Sequence, residues 1–193
     1  MSNKVEFIKD EFVLSEYFEK MEIIIKNILL KPEKYVLTYD ILDTEKTKKN
    51  KLLLLKEKQY QMKIGEIWQE IIGNYDEFIN LKIGHETGLD ILSNKRKIAI
   101  ELKNRTNTDN YSSKKFNLDK LAKFKKNNPE YICIYANINA NTEKRTLQGY
   151  NKKISHNGVE IEHQVGFEFL TYIFGEKTEK IIEFVKNIID KYT

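Results

Sequence analysis

Cysteine occurs once, at Cys133, which excludes an internal disulfide framework and a Cys-rich zinc ribbon. The three histidines, His85, His156 and His163, are too scattered for a zinc site. Two prolines and eight glycines in 193 residues exclude Pro/Gly-rich linkers and collagen-like repeats. The aliphatic runs at 23–25 and 52–55 fall far short of the roughly 20 residues a membrane span needs. Residues 1–6 lack the basic-then-apolar pattern of a signal peptide. Also missing are a glycine-rich phosphate loop, a serine-nucleophile elbow and an HExxH zinc motif. These absences leave a soluble, cytoplasmic chain with no membrane partner as the expectation.

The chain is 40% hydrophobic and 32% charged, enough apolar material for one real core. A single domain is expected over 1–193. Its N-terminal helical part covers about 1–60, a core about 61–140, and a C-terminal strand and helix part about 141–193. The net charge of +4 is mild, but it is unevenly placed. Residues 95–126 hold eleven Lys/Arg against three acidic residues, a local +8. The first thirty residues sum to −2 and residues 160–193 to −3. A basic segment of this kind commonly meets a phosphate backbone, and it also arises in a lysine-rich chain without function.

Apolar spacings of three and four from Leu14 to Leu29 predict a helix that stops before Pro32. Residues 35–42 read as a strand or an extended connection. Residues 44–51, polar and lysine-rich, read as a loop. A second helix is predicted over 59–72, with Ile64, Ile67, Trp68, Ile71 and Ile72 on one face. Residues 78–83 and 89–92 read as short strands and 93–96 as a turn. Residues 97–103 alternate, with Ile98, Ile100 and Leu102 on one face and Ala99, Glu101 and Lys103 on the other. A polar stretch over 104–117 precedes a helix over 118–126. Residues 131–138 form an apolar run typical of a buried strand. Short strands or a strand-helix junction follow at 159–161 and 165–169, and a striped helix closes the chain. The order predicts a mixed α/β domain.

The centre of the chain carries the chemistry. With 93–96 as a four-residue turn, Leu92 opposes Lys97 and Asp90 opposes Ala99. Asp90 and Glu101 then become diagonal cross-strand neighbours, roughly 7–8 Å apart at the backbone. Two carboxylates on a half-buried sheet are costly without a counter-ion. Their oxygens suit a hard cation such as Mg²⁺, which polarises a phosphoryl oxygen and acidifies a water. Lys103 leaves the same face and can hold that water or stabilise developing negative charge. Together these parts describe metal-dependent phosphodiester hydrolysis.

Asp90, followed eleven residues later by Glu101-Leu102-Lys103, resembles the signature of the PD-(D/E)xK nucleases. The surrounding residues 87–91 and 98–104 look most like those of small type II restriction endonucleases. The signature departs from the pattern at Gly88-Leu89, where proline is usual before the aspartate. The resemblance implies a restriction-endonuclease-like core, a central mixed β-sheet flanked by helices. It implies that Asp90 and Glu101 bind Mg²⁺, that the Leu102 carbonyl assists, and that Lys103 is catalytic. It also implies that the preceding helix supplies a further carboxylate, for which Glu66 and Glu70 are equal candidates. A homodimer acting on double-stranded DNA and a cognate DNA methyltransferase complete what it implies.

Directly after the catalytic strand, residues 104–115 carry donors and acceptors suited to phosphates and base edges. The candidates are Asn104, Arg105, Asn107, Thr108, Asn110, Ser112, Ser113, Lys114 and Lys115, with Lys120, Lys123, Lys125 and Lys126 extending a phosphate track. Asn137, Asn139 and Asn141 either read bases or end a strand. His85 and Glu86 lie just before Asp90, as part of the site or of a plain polar loop, and Thr87-Gly88 lets the backbone approach a ligand. Two other functions share these residues. One is a structure-specific repair or recombination nuclease. The other is a non-catalytic nucleic-acid-binding module whose acidic face is incidental.

Overall fold

In the computed structural model the apolar stripes of the sequence close on the two faces of one six-stranded sheet. The structure describes residues 3–33, 36–38, 40–82, 84–105, 111–139 and 152–193, and of residues 3–13 the backbone only. The elements are α1 (Asn3–Leu29), α2 (Glu45–Gly73), β1 (Ile79–Asn80), β2 (Ile91–Ser93), β3 (Ile98–Arg105), α3 (Tyr111–Asn127) and β4 (Ile132–Asn139). They continue with β5 (Lys152–His156), β6 (Val159–Val165), α4 (Gly166–Phe174) and α5 (Thr178–Tyr192). The strand order is β1-β2-β3-β4-β6-β5. β3, β4 and β6 run parallel, and antiparallel partners flank them on both sides. This is the expected mixed α/β fold with a sheet between helices.

Alternation along β3 sorts the two layers. Ile98, Ile100 and Leu102 face a large core built from α1, α2, α4 and α5, with Met21, Ile25, Ile67, Ile71, Phe169 and Ile181 fully or almost fully buried. Ala99 faces the second core under α3, with Leu118, Leu121, Cys133, Tyr135 and Ile161. Glu101 and Lys103 share the α3 face. Among the described residues, no helix is long and apolar enough to cross a membrane.

Several boundaries differ from the sequence reading, among them a strand β5 that it did not contain. Residues 45–51 are the first two turns of α2 rather than a loop. Thr44 and Thr47 form a reciprocal capping box, and Asp43 accepts from Lys51 Nζ at 2.5 Å. Those turns are mostly exposed, so no apolar stripe announces them. α3 begins at Tyr111, seven residues before its predicted start, because its first turns expose Tyr111, Ser112, Ser113 and Phe116. The hairpin turn is 94–97 rather than 93–96. Leu92 pairs with Ala99 and Ile91 with Ile100, a shift of two residues that leaves every side chain on its predicted face.

Gly73 closes α2 where the helix runs against β1. A Cβ there would lie 2.6 Å from the Asn80 Cβ and 2.8 Å from its Cα and N, and backbone cannot yield as a side chain can. Gly73→Ala is expected to lower unfolding free energy by about 1–3 kcal/mol. Denaturant unfolding measures this directly, and an unchanged midpoint would contradict the contact.

Candidate active site

The β2 to β3 ladder begins at Ile91, the residue after Asp90. The Asp90 N–H donates to the Ile100 carbonyl at 3.1 Å, and the Leu102 N–H donates to Asp90 Oδ2 at 2.7 Å. The carboxylate thus takes the place of a strand carbonyl, which holds it against β3 beside Glu101. The regular pairing ends at Ile91 and Ile100, and Asp90 continues from it, close enough to Glu101 to feel its charge.

Glu101 is 1% exposed, and both of its oxygens are engaged. Lys103 Nζ donates to Oε1 at 2.7 Å, and Lys120 Nζ, from α3, donates to Oε2 at 2.7 Å. Lys120 also donates to the Gly88 carbonyl at 2.8 Å. Burial, then the neighbouring Glu101 charge, pushes the Asp90 carboxyl above its usual range. The Leu102 N–H and the two ammonium groups oppose that rise.

The turn before Asp90 is locally bonded. His85 Nδ1 and Thr87 Oγ1 are 2.9 Å apart, and the Gly88 N–H donates to the His85 carbonyl at 2.9 Å. Gly88 sits at φ +64°, where glycine is at ease and an L side chain is strained. Leu89, at the position where the resembling family usually has proline, is 2% exposed and belongs to the core under α3. Its burial anchors the turn that presents Asp90. His85, Glu86, Thr87, Gly88, Lys120 and Lys123 border a groove of about 700 Å³ beside the site.

Other predicted residues are placed elsewhere. Glu66 pairs with Lys31, and Glu70 accepts from Asn74 at 2.9 Å. Both lie on α2, whose buried residues pack on the opposite face of the sheet from Glu101, so the structure does not bring them to the carboxylate pair. Asn104 also faces α2, donating to the Gln61 carbonyl at 3.0 Å and accepting from Asn139 at 2.7 Å. Arg105 pairs with Glu57 at 3.3 Å. Ser112, Ser113, Lys114 and Lys115 occupy the first turns of α3 rather than a loop, and Lys114 stands 5.7 Å from the Tyr135 ring centroid. Asn107, Thr108, Asn110 and Asn141 lie outside the described residues. Asn137 is 2% exposed and holds strands together, donating to the Arg105 carbonyl and accepting from His163 Nε2.

Lys120, which the sequence reading offers only as part of a phosphate track with Lys123, Lys125 and Lys126, reaches Glu101 instead. A signal was present. Asn117, Lys120, Leu121 and Phe124 fall at i, i+3, i+4 and i+7, so a lysine occupies an otherwise inward stripe.

No group of three or more His, Cys, Asp or Glu side chains gathers among the described residues. The donor set at the site is two carboxylates, with the Leu102 carbonyl on the strand between Glu101 and Lys103. Oxygen donors of this kind fit a hard divalent cation. Burial is the main cause that raises Asp90 and the Glu101 charge adds to it, and a cation would relieve that added repulsion.

A mixed sheet with an aspartate on the turn before one strand and Glu-x-Lys on the next defines a restriction-endonuclease-like core. The Eco47II restriction endonuclease family model matches residues 18–172, about four fifths of the chain. The chain therefore belongs to that family, whose members are type II restriction enzymes of the PD-(D/E)xK class and phosphodiester hydrolases. No curated protein matches the chain in sequence.

Proposed function

We propose that this enzyme is a Mg²⁺-dependent site-specific deoxyribonuclease that hydrolyses phosphodiester bonds of double-stranded DNA. The observation that carries the reading is the Asp90 and Glu101 pair on one sheet face, with Lys103 donating to Glu101 at 2.7 Å. Asp90, Glu101 and the Leu102 carbonyl are the groups that would hold the cation. When bound, the cation supplies positive charge at the phosphoryl group and acidifies a water.

The chain's own residues do the rest. Glu101 orients the Lys103 ammonium, which donates to the attacking water or to the phosphoryl oxygen as negative charge grows on it. Asp90 is kept in line by the Leu102 N–H, so the two carboxylates approach without a free rotor between them. Arg105 ends the catalytic strand, and with Asn104, Asn107, Thr108, Asn110, Ser112, Ser113, Lys114 and Lys115 it forms the proposed DNA-contacting segment. Arginine and lysine supply phosphate and guanine contacts there, and serine and asparagine supply adaptable base-edge contacts. A homodimer fits a palindromic site, because two-fold protein symmetry matches two-fold DNA symmetry. A cognate methyltransferase would protect the host genome.

Unmethylated phage DNA incubated with the enzyme, with and without Mg²⁺, tests the reading. The expected result is a discrete fragment ladder that requires Mg²⁺ and whose sequenced ends share one short motif. Cleavage confined to branched DNA would replace it with a repair or recombination nuclease. Metal-independent DNA binding without cleavage would replace it with a non-catalytic module.

A further inference from the structure

Lys120 is held in three ways that a solvated lysine is not. Its side chain is only 20% exposed, its ammonium lies 2.7 Å from the buried Glu101 Oε2, and the same nitrogen donates to the Gly88 carbonyl at 2.8 Å. One nitrogen thus pins α3, the turn before Asp90, and β3 together. Gly88 eases the approach, since a Cβ there would lie 3.1 Å from the Lys120 Cδ and push it aside.

Charge counting gives the consequence. Two carboxylates and two ammonium groups make a locally neutral cluster without any metal. A divalent cation taken up by Asp90 and Glu101 would meet Lys103 and Lys120 on the same Glu101 oxygens and be repelled by both.

We propose that Lys120 is a resident counter-ion that occupies Glu101 Oε2 in the metal-free enzyme and must release that oxygen for a divalent cation to bind. The inference rests on the assignment of Asp90 and Glu101 as metal ligands. After release, the ammonium keeps the Gly88 carbonyl as a partner and borders the groove with Thr87 and Lys123. Lys120 is therefore a positioning residue that lowers metal affinity in exchange for an ordered empty site.

The test is a calorimetric Mn²⁺ titration of the full chain at pH 8 without DNA, on the parent, Lys120→Met, Lys120→Gln and Lys120→Arg proteins. Lys120→Met should bind Mn²⁺ about tenfold tighter, in line with loss of one charge-assisted competitor. Lys120→Gln, which keeps a donor for Gly88 without the charge, should also bind tighter and serves if the methionine variant misfolds. Lys120→Arg should bind no tighter than the parent. A natively folded Lys120→Gln that binds Mn²⁺ no tighter than the parent overturns the proposal. Asp90→Asn and Glu101→Gln separate the two readings, because both should lose Mn²⁺ binding. If they keep it, the ligand assignment fails and the role of Lys120 falls with it, whereas an unchanged Lys120→Gln beside Asp90→Asn and Glu101→Gln that lose binding overturns the role of Lys120 alone.

Discussion

Asp90→Asn is expected to stop metal-dependent cleavage while making the metal-free protein more stable at neutral pH than its parent. The folded state disfavours the charged form of Asp90, first through burial and then through the Glu101 charge. A carboxyl whose pKa is raised on folding binds its proton more tightly in the native state. Stability is therefore lost as pH climbs from the unfolded carboxyl value, about 3.9, through the raised folded one. Asparagine carries no charge to lose and retains an oxygen that can accept from the Leu102 N–H. Denaturant unfolding in chelator should show the parent and the variant alike near pH 4 and the variant ahead at pH 7. Saturating Mg²⁺ should reverse that order, since a ligand bound only by the native parent stabilises it. Cleavage should fall at least about a thousandfold, because a catalytic cation contributes several kcal/mol and each ~1.4 kcal/mol is tenfold. A variant less stable than the parent at every pH in chelator would refute the raised Asp90 carboxyl.

The same chemistry explains what was legible in the sequence. Period-two alternation over 97–103 placed Glu101 and Lys103 on one face, and the cost of slipping by one residue keeps such faces fixed. The turn could slide by one residue, shifting the pairing by two at no cost in face, so alternation alone did not fix the register. Apolar stripes revealed α1, the second half of α2 and α5. The first turns of α2 and α3 are mostly exposed, and polar residues there do not distinguish a capped helix from a loop. The motif resemblance suggested a helical carboxylate, but whether Glu66 or Glu70 reaches the pair depends on which sheet face α2 covers. That depends on the long-range packing of Ile67, Ile71 and Ile72 against Ile100 and Leu102. Lys120 was hidden for the converse reason. Its partner lies 19 residues earlier on a different element, and lysine is common enough here, with most of 33 basic residues being Lys, to look incidental.

Lys103→Cys is expected to cut DNA about 10²- to 10³-fold more slowly than the parent, the scale of losing one donor to developing charge. DNA binding should persist, because the variant leaves the basic surface of α3 intact. Lys103 and Lys120 both touch Glu101, yet their positions differ. Lys103 stands on β3 itself, in register with Asn137 and two residues before Arg105, toward the proposed DNA segment. Lys120 is tied to the Gly88 carbonyl on the groove side. Treating the cysteine variant with 2-bromoethylamine rebuilds a near-isostere of lysine at position 103. The reaction can be made selective, because the natural thiol, Cys133, is 1% exposed and its pKa is pushed up to about 11 by burial. Mass spectrometry verifies a single aminoethyl group, and most of the cleavage rate should return. Arginine should not substitute, since a planar guanidinium does not reproduce a compact ammonium. A singly alkylated protein that remains inactive, or a cysteine variant that already cuts at the parental rate, would remove Lys103 from the chemistry.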